Sequence, residues 1–414
     1  MALLRGCLAA LLFLASAAAA QAEDPALSRL HTLIAPLRRA PPVPGVDSRG
    51  PWNYQAPGTD WRGATPVLNE AKHTLRDWIE AKLANAPRNV RERALVAQLN
   101  GALARADLFC QRVEREAAPN PCSTGPWDWD PSGFLFPRIR IERPTPGVLL
   151  VYSGFGIVCG TDMSAYGYEW RAGRWQRFWQ YEQPIAAGAD YQPQSLDSVL
   201  VSKADTSSGA RMVLMLGNMD WCSSTYYPVY VRLWRATSGA GEPKLLLNLT
   251  ERAWLGGDLV IDGHASLTQA QFEFMRPGLE VAGGRQAIVR FAVQGDTLTR
   301  VDPLAYDPIA FVEEWVHAPW PESRRWVAAP NAATLEPWHK TLSADDVYTD
   351  SMTTNGCRKD PSLWQVTLPL SRRDESVETL YLLVSRPSPE RFEMRDIGVM
   401  PRADCDGPEF GAAQ

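Results

Sequence analysis

The stretch GNMDWCSSTYYPVYVRLWRA, Gly217 to Ala236, sets Cys222 beside a tryptophan and two serines and then runs into an alternating aromatic segment. A cysteine in that setting could be a nucleophile, a metal ligand or half of a disulfide. A thiolate nucleophile needs a neighbouring base or cation, and the local sequence supplies Asp220 instead, whose charge opposes the thiolate. A metal ligand needs partners at ligand spacing, but the sequence holds no C-x-x-C. Its five histidines, His31, His73, His264, His317 and His339, lie in separate neighbourhoods. The disulfide is the reading that remains.

Of the seven cysteines, Cys7 lies in an N-terminal signal-like segment, which leaves Cys110, Cys122, Cys159, Cys222, Cys357 and Cys405. An even set in an exported chain reads as a disulfide framework. Sequential pairing keeps each bridge local: Cys110 with Cys122, Cys159 with Cys222, and Cys357 with Cys405. Closing loops of about 12, 63 and 48 residues contributes on the order of 3, 4 and 4 kcal/mol.

The motifs that carry catalysis mechanically are missing. There is no G-x-S-x-G, H-E-x-x-H, G-x-x-x-x-G-K-[ST] or EF-hand loop. Asp262 and Ser266 flank His264, a commonplace spacing on a strand or turn. Glu313-Glu314 and Asp345-Asp346 are adjacent and point apart, unlike the facing carboxylates of a glycosidase. No catalytic residue, metal ligand or cofactor is assigned. Tryptophan stands out, with 16 in 414 residues. Trp127 and Trp129 flank Asp128 in GPWDWDPSG, and Trp221 precedes Cys222. Flat rings beside a carboxylate can stack on a sugar and bond its hydroxyls, or grip a peptide. Trp127, Asp128, Trp129 and Trp221 are therefore the candidate binding residues, whereas the strand tryptophans read as core.

These residues need elements to position them. Residues 1–22 combine Arg5, the apolar run LAALLFLASAAAA and a small-residue end in AQA, which together read as a signal peptide, so the mature protein is expected to be exported, periplasmic or extracellular. No later apolar run is long enough to span a membrane. The net charge of −5 becomes one unit more negative without Arg5, which argues against nucleic acid as a partner.

Residues 23–65 read as an extended Pro-rich leader. Residues 66–118 read as a helical hairpin, with Leu68, Ala71, Leu75 and Trp78 on one face. Val96, Leu99, Leu103, Ala106, Cys110 and Val113 define a second and longer helix. Period two then takes over. Residues 134–306 predict a repeated antiparallel β domain, in which VLLVYSGFGIVCGTDMSAYGYEWR from Val148 is echoed by VLMLGNMDWCSSTYYPVYVRLWR from Val213. A weaker third copy begins at QFEFM. Residues 307–414 predict a small α+β domain, with helices in DPIAFVEEWVHAPW and TLEPWHKTL followed by four strands. The fold class is mainly β, with an N-terminal helical hairpin, a small C-terminal α+β layer, and repeated meanders in a sandwich or propeller-like arrangement.

The phrases LRDWIEAKL, GIVCGTDMSAYGYEW, WCSS, LLLNLTERAWLG and FVEEWVHAPW together resemble a group of exported bacterial proteins to which no activity is assigned. The resemblance implies an architecture and carries over no catalytic or binding residue. The expected function is a noncatalytic binding protein for a glycan, peptide or protein partner. The alternatives are a hydrolase whose site is assembled from separated residues and a structural envelope subunit.

Overall fold

A computed structural model describes residues 24–38, 61–108, 137–157, 160–183, 194–219, 226–254 apart from 238 and 240, 262–277, 284–301, 305–344 apart from 329, 347–372 apart from 350, and 377–411 apart from 390. The chain divides into two compact units, Met1–Ser195 and Leu196–Gln414. Among the described residues the strands form four antiparallel sheets, three of four strands and one of five, and none closes into a barrel.

Among the described residues the first unit begins with a helix, α1 (Pro25–Arg38), inside the span 23–65 expected to be an extended leader. The prolines that give this span its extended character lie mostly beyond the helix. Pro25 stands at the first helical position, where no hydrogen bond is lost, and Leu27, Leu30 and Ile34 recur at steps of three and four and are buried. Asp24 anchors this start, accepting from the Ala26 N–H at 3.2 Å and from two groups of α2 (Trp61–Ala84), Trp78 Nε1 at 2.9 Å and Lys82 Nζ at 2.7 Å. Burial alone would raise the Asp24 pKa, but the bonds from Lys82 and Trp78 outweigh it and hold the carboxyl below its ordinary range.

The expected face of α2 is realised, with Leu68, Ala71, Leu75 and Trp78 all buried. The next helix, α3 (Glu92–Arg105), is shorter than α2, against the expectation of a longer one. Asp107 takes a left-handed φ of 56°, and the Leu108 N–H returns to the Leu103 carbonyl at 2.8 Å. That closing turn stops the helix before the apolar spacing runs out.

The helices cover one face of a sheet built in chain order from β1 (Pro137–Glu142), β2 (Val148–Ile157), β3 (Gly160–Arg171) and β4 (Arg174–Glu182). Leu149, Val151, Phe155, Tyr166 and Tyr168 join the helices in one core. Each such side chain contributes about 1.5–3 kcal/mol of transfer free energy on full burial.

Two further meanders follow. One contains β5 (Gln194–Val201), β6 (Ala210–Met219), β7 (Tyr226–Thr237) and β8 (Lys244–Trp254); the other contains β9 (Asp262–Ala265), β10 (Gln269–Pro277), β11 (Gly284–Gln294) and β12 (Thr297–Val301). The sequence echo has a structural meaning. Its two copies are β2–β3 and β6–β7, the central pairs of successive meanders, with Trp170-Arg171 and Trp234-Arg235 late in the third strand of each. The second and third meanders pack face to face through Met212, Leu214, Leu216, Val231 and Leu233 against Phe272, Phe274, Val289 and Val293, a sandwich core. Gly263 lets the sheets approach at that contact, because a Cβ there would stand 2.9 Å from Leu216 Cδ1 and that side chain would have to shift.

The last layer sets α4 (Pro308–His317), α5 (Trp320–Ser323) and α6 (Ala332–Leu342) against a sheet with the order β13 (Val347–Tyr348), β15 (Asp360–Arg372), β16 (Val377–Ser388), β17 (Arg391–Gly398); β14 (Thr353–Cys357) also pairs with β15. Asp307 caps α4 by accepting from the Ala310 N–H at 2.8 Å. Phe311, Trp315, Trp326, Leu368, Leu382 and Phe392 are among the residues that fill the interface.

Candidate functional site

Most of the predicted site residues lie outside the described residues. These are Trp127, Asp128, Trp129 and Trp221, together with Cys110, Cys122, Cys159 and Cys222. Cys357 and Cys405 form the expected disulfide, buried beside Leu363 and Leu383. It ties the C-terminal tail to the end of β14, where Gly356 also exchanges backbone bonds with Pro408 at 3.0 Å and Gly407 at 2.9 Å. Several other tryptophans are core: Trp78, Trp175, Trp179, Trp315 and Trp326 are all buried.

Two polar constellations emerge that spacing did not assemble. In the first unit, Lys72, His73 and Arg76 of α2 face the polar ends of β3 and β4. Lys72 and Asp162 are 2% and 0% exposed, with Nζ 3.3 Å from Oδ1 and 3.2 Å from Oδ2. Lys72 also donates to the Gln183 carbonyl at 2.7 Å. Beside them Glu182 receives Arg76 at 3.0 Å and the Tyr166 hydroxyl at 3.0 Å, and stands 3.2 Å from His73 Nε2. Burial, with the Glu182 charge adding to it, pushes the Tyr166 hydroxyl far above its ordinary pKa, so it remains a neutral donor.

In the second unit, a shallow pocket of about 360 Å³ opens between the C-terminal end of α4, the start of α5 and one face of α6. Glu336, His339, Lys340 and Ser343, at i, i+3, i+4 and i+7 along α6 and just past its end, line one wall. His317 and Trp320 stand opposite. The fold thus unites two of the scattered histidines with a carboxylate, a lysine and an indole.

His339 is positioned by carbonyls that α4 leaves open at its end. Nε2 lies 3.0 Å from the carbonyl oxygens of both Trp315 and Ala318, so it carries the proton and donates to them. Ser323 Oγ donates to the same two oxygens at 2.8 and 3.0 Å. Trp315 meets the imidazole edge-on, with centroids 4.9 Å apart, and Trp320 lies tilted at 5.2 Å. Burial, opposed in part by the two carbonyl bonds, lowers the His339 pKa and keeps the ring neutral. Its remaining ring nitrogen, Nδ1, is an acceptor.

An indole wall, an exposed carboxylate and an exposed ammonium suit a small ligand with one apolar face and several hydroxyls or amides. The signal was legible in TLEPWHKTLS as helical spacing of Glu336, His339, Lys340 and Ser343, but the partner wall at His317 and Trp320 comes only from tertiary packing. Among the described residues, no group of three or more His, Cys, Asp or Glu is placed to hold a metal ion, and no helix is long and apolar enough to cross a membrane. In comparisons with known proteins, no family model and no curated protein matches the chain.

Proposed function

We propose that this is an exported, noncatalytic binding protein whose C-terminal layer takes a saccharide ring in the pocket between α4, α5 and α6. The observation that carries the reading is the convergence of Trp320 with Glu336, His339 and Lys340 on one concavity. A sugar's C–H face stacks on an indole, while its hydroxyls pair with carboxylate, ammonium and imidazole acceptor. His339 is fixed through Nε2 and held neutral by burial, which leaves its Nδ1 lone pair as an acceptor. The buried disulfide is compatible with an oxidising compartment, and residues 1–22 supply the export signal. Trp127, Asp128, Trp129 and Trp221 remain binding candidates on sequence grounds within the same reading.

The test is retention on a saccharide array, followed by calorimetry, of the wild type and of Glu336→Ala, Lys340→Ala and Trp320→Ala. Glu336 and Lys340 are exposed, so their variants should keep stability within about 0.5 kcal/mol. Loss of affinity of about tenfold in each supports the pocket. Saccharide binding that all three variants keep moves the site elsewhere, with Trp129→Ala as the next variant. Retention of no saccharide overturns the reading.

A further inference from the structure

The buried Lys72–Asp162 pair is not used by the binding pocket, and it lies in the other compact unit. Its two ends are 90 residues apart in sequence and join the helical layer to the sheet. Both side chains are almost wholly removed from water, and Nζ stands close to both carboxylate oxygens. An ion pair placed so deeply carries a large desolvation cost, which breaking one partner would expose in full. A neutral link between the same atoms would carry none of it.

We propose that Lys72 and Asp162 become joined by an isopeptide bond. One proton passes from the Lys72 ammonium to the Asp162 carboxylate, giving an amine and a carboxylic acid. The Nζ lone pair attacks Cγ, forming the N–C bond. The Cγ–O bond to the hydroxyl then breaks, and that hydroxyl leaves with one proton from nitrogen as water. Ammonium plus carboxylate becomes amide plus water, so no oxidant, cofactor or outside reagent is consumed. Holding the reactants in fixed contact supplies the effective concentration that a free amine and acid lack. Exclusion of water protects the product from hydrolysis. The Gln183 carbonyl, 2.7 Å from Nζ, is already in place to accept from the single N–H that the amide keeps. The link would fasten α2 to β3 in the same way that the disulfide fastens the C-terminal tail, without dependence on redox state.

The test is mass spectrometry of the full chain expressed with its own N-terminus and recovered after export, reduced and denatured. The expected mass is about 18 Da below that of the mature sequence, one water. Because an N-terminal glutamate can lose water too, tryptic mapping must place the loss. The expected result is a branched peptide carrying Lys72 and Asp162, with no cleavage after Lys72. Asp162→Asn should lose ammonia at the same position, about 17 Da, and Asp162→Ala should lose nothing there. A linear peptide cleaved after Lys72, at full mass, overturns the proposal. So does a water loss that survives Asp162→Ala. The wild-type map alone decides the matter if either variant fails to fold.

Discussion

Arg276 of β10 holds Glu314 of α4 with one guanidinium nitrogen 3.2 Å from both carboxylate oxygens. Arg300 of β12 reaches the same carboxylate at 2.9 Å and also pairs with Glu322, while Arg276 continues to Glu251 at 3.0 Å. Glu314 is the node at which the third meander is tied to the helical layer. Removing it takes one carboxylate from each guanidinium but leaves Arg276 with Glu251 and Arg300 with Glu322, so Glu314→Ala should cost about 2–3 kcal/mol, less than an uncompensated buried charge. Glu322→Ala removes a more exposed partner and should cost about 1 kcal/mol or less. Urea unfolding of both variants checks the ordering, and equal losses would remove Glu314 from its central place.

His339 gives the C-terminal layer a pH dependence whose sign follows from its burial. Its folded-state pKa lies below the ordinary 6.5, so between those two values the unfolded chain binds more protons than the folded one. Stability from this group is therefore complete above about pH 6.5 and is lost as pH falls through the folded-state value. His339→Phe keeps a ring against Trp315 and removes the titration, while the single Ser323 Oγ proton stays within reach of both carbonyls. Melting temperatures recorded from about pH 7.5 to about pH 5 should fall less steeply in the variant. Parallel curves would mean that another group sets the slope.

The parts of the fold that were legible in sequence are those where burial imposes a period. Leu68, Ala71, Leu75 and Trp78 announce α2, and the echo between Val148 and Val213 announces two equivalent strand pairs. What periodicity does not encode is termination. The left-handed turn at Asp107 cuts α3 short although Cys110 and Val113 continue the apolar spacing. Proline content concealed α1: the span 23–65 reads as Pro-rich from prolines that lie mostly past Arg38, while the helix itself starts on Pro25, a position that suits proline. The pocket was half legible: one wall is a helix face written at i, i+3, i+4 and i+7, and the other depends on how α4 ends over α6. Lys72 and Asp162 could not be paired from sequence at all, since each sits in an otherwise ordinary amphipathic segment.

The hairpin between β3 and β4 turns through Ala172 and Gly173, with φ of 50° and 77°, between the paired residues Arg171 and Arg174. Two positive φ values in a two-residue loop suit the right-handed twist of the strands and call for Asn-Gly rather than Ala-Gly. Alanine in that region carries a backbone penalty of about 1 kcal/mol, from its Cβ against the following carbonyl oxygen. Asparagine tolerates the conformation, and both turn residues are exposed, so no packing opposes the change. Ala172→Asn should therefore stabilise the protein by about 0.5–1 kcal/mol. Ala172→Gly relieves the same strain but widens the unfolded ensemble, and should gain less. Gly173→Ala, with no atom within 4 Å of the added Cβ, isolates the backbone term in the opposite direction and should cost about 1 kcal/mol. Denaturant midpoints of the three variants should fall in the order Ala172→Asn, Ala172→Gly, wild type, Gly173→Ala; a destabilised Ala172→Asn would mean that this turn does not hold the left-handed pair of angles in solution.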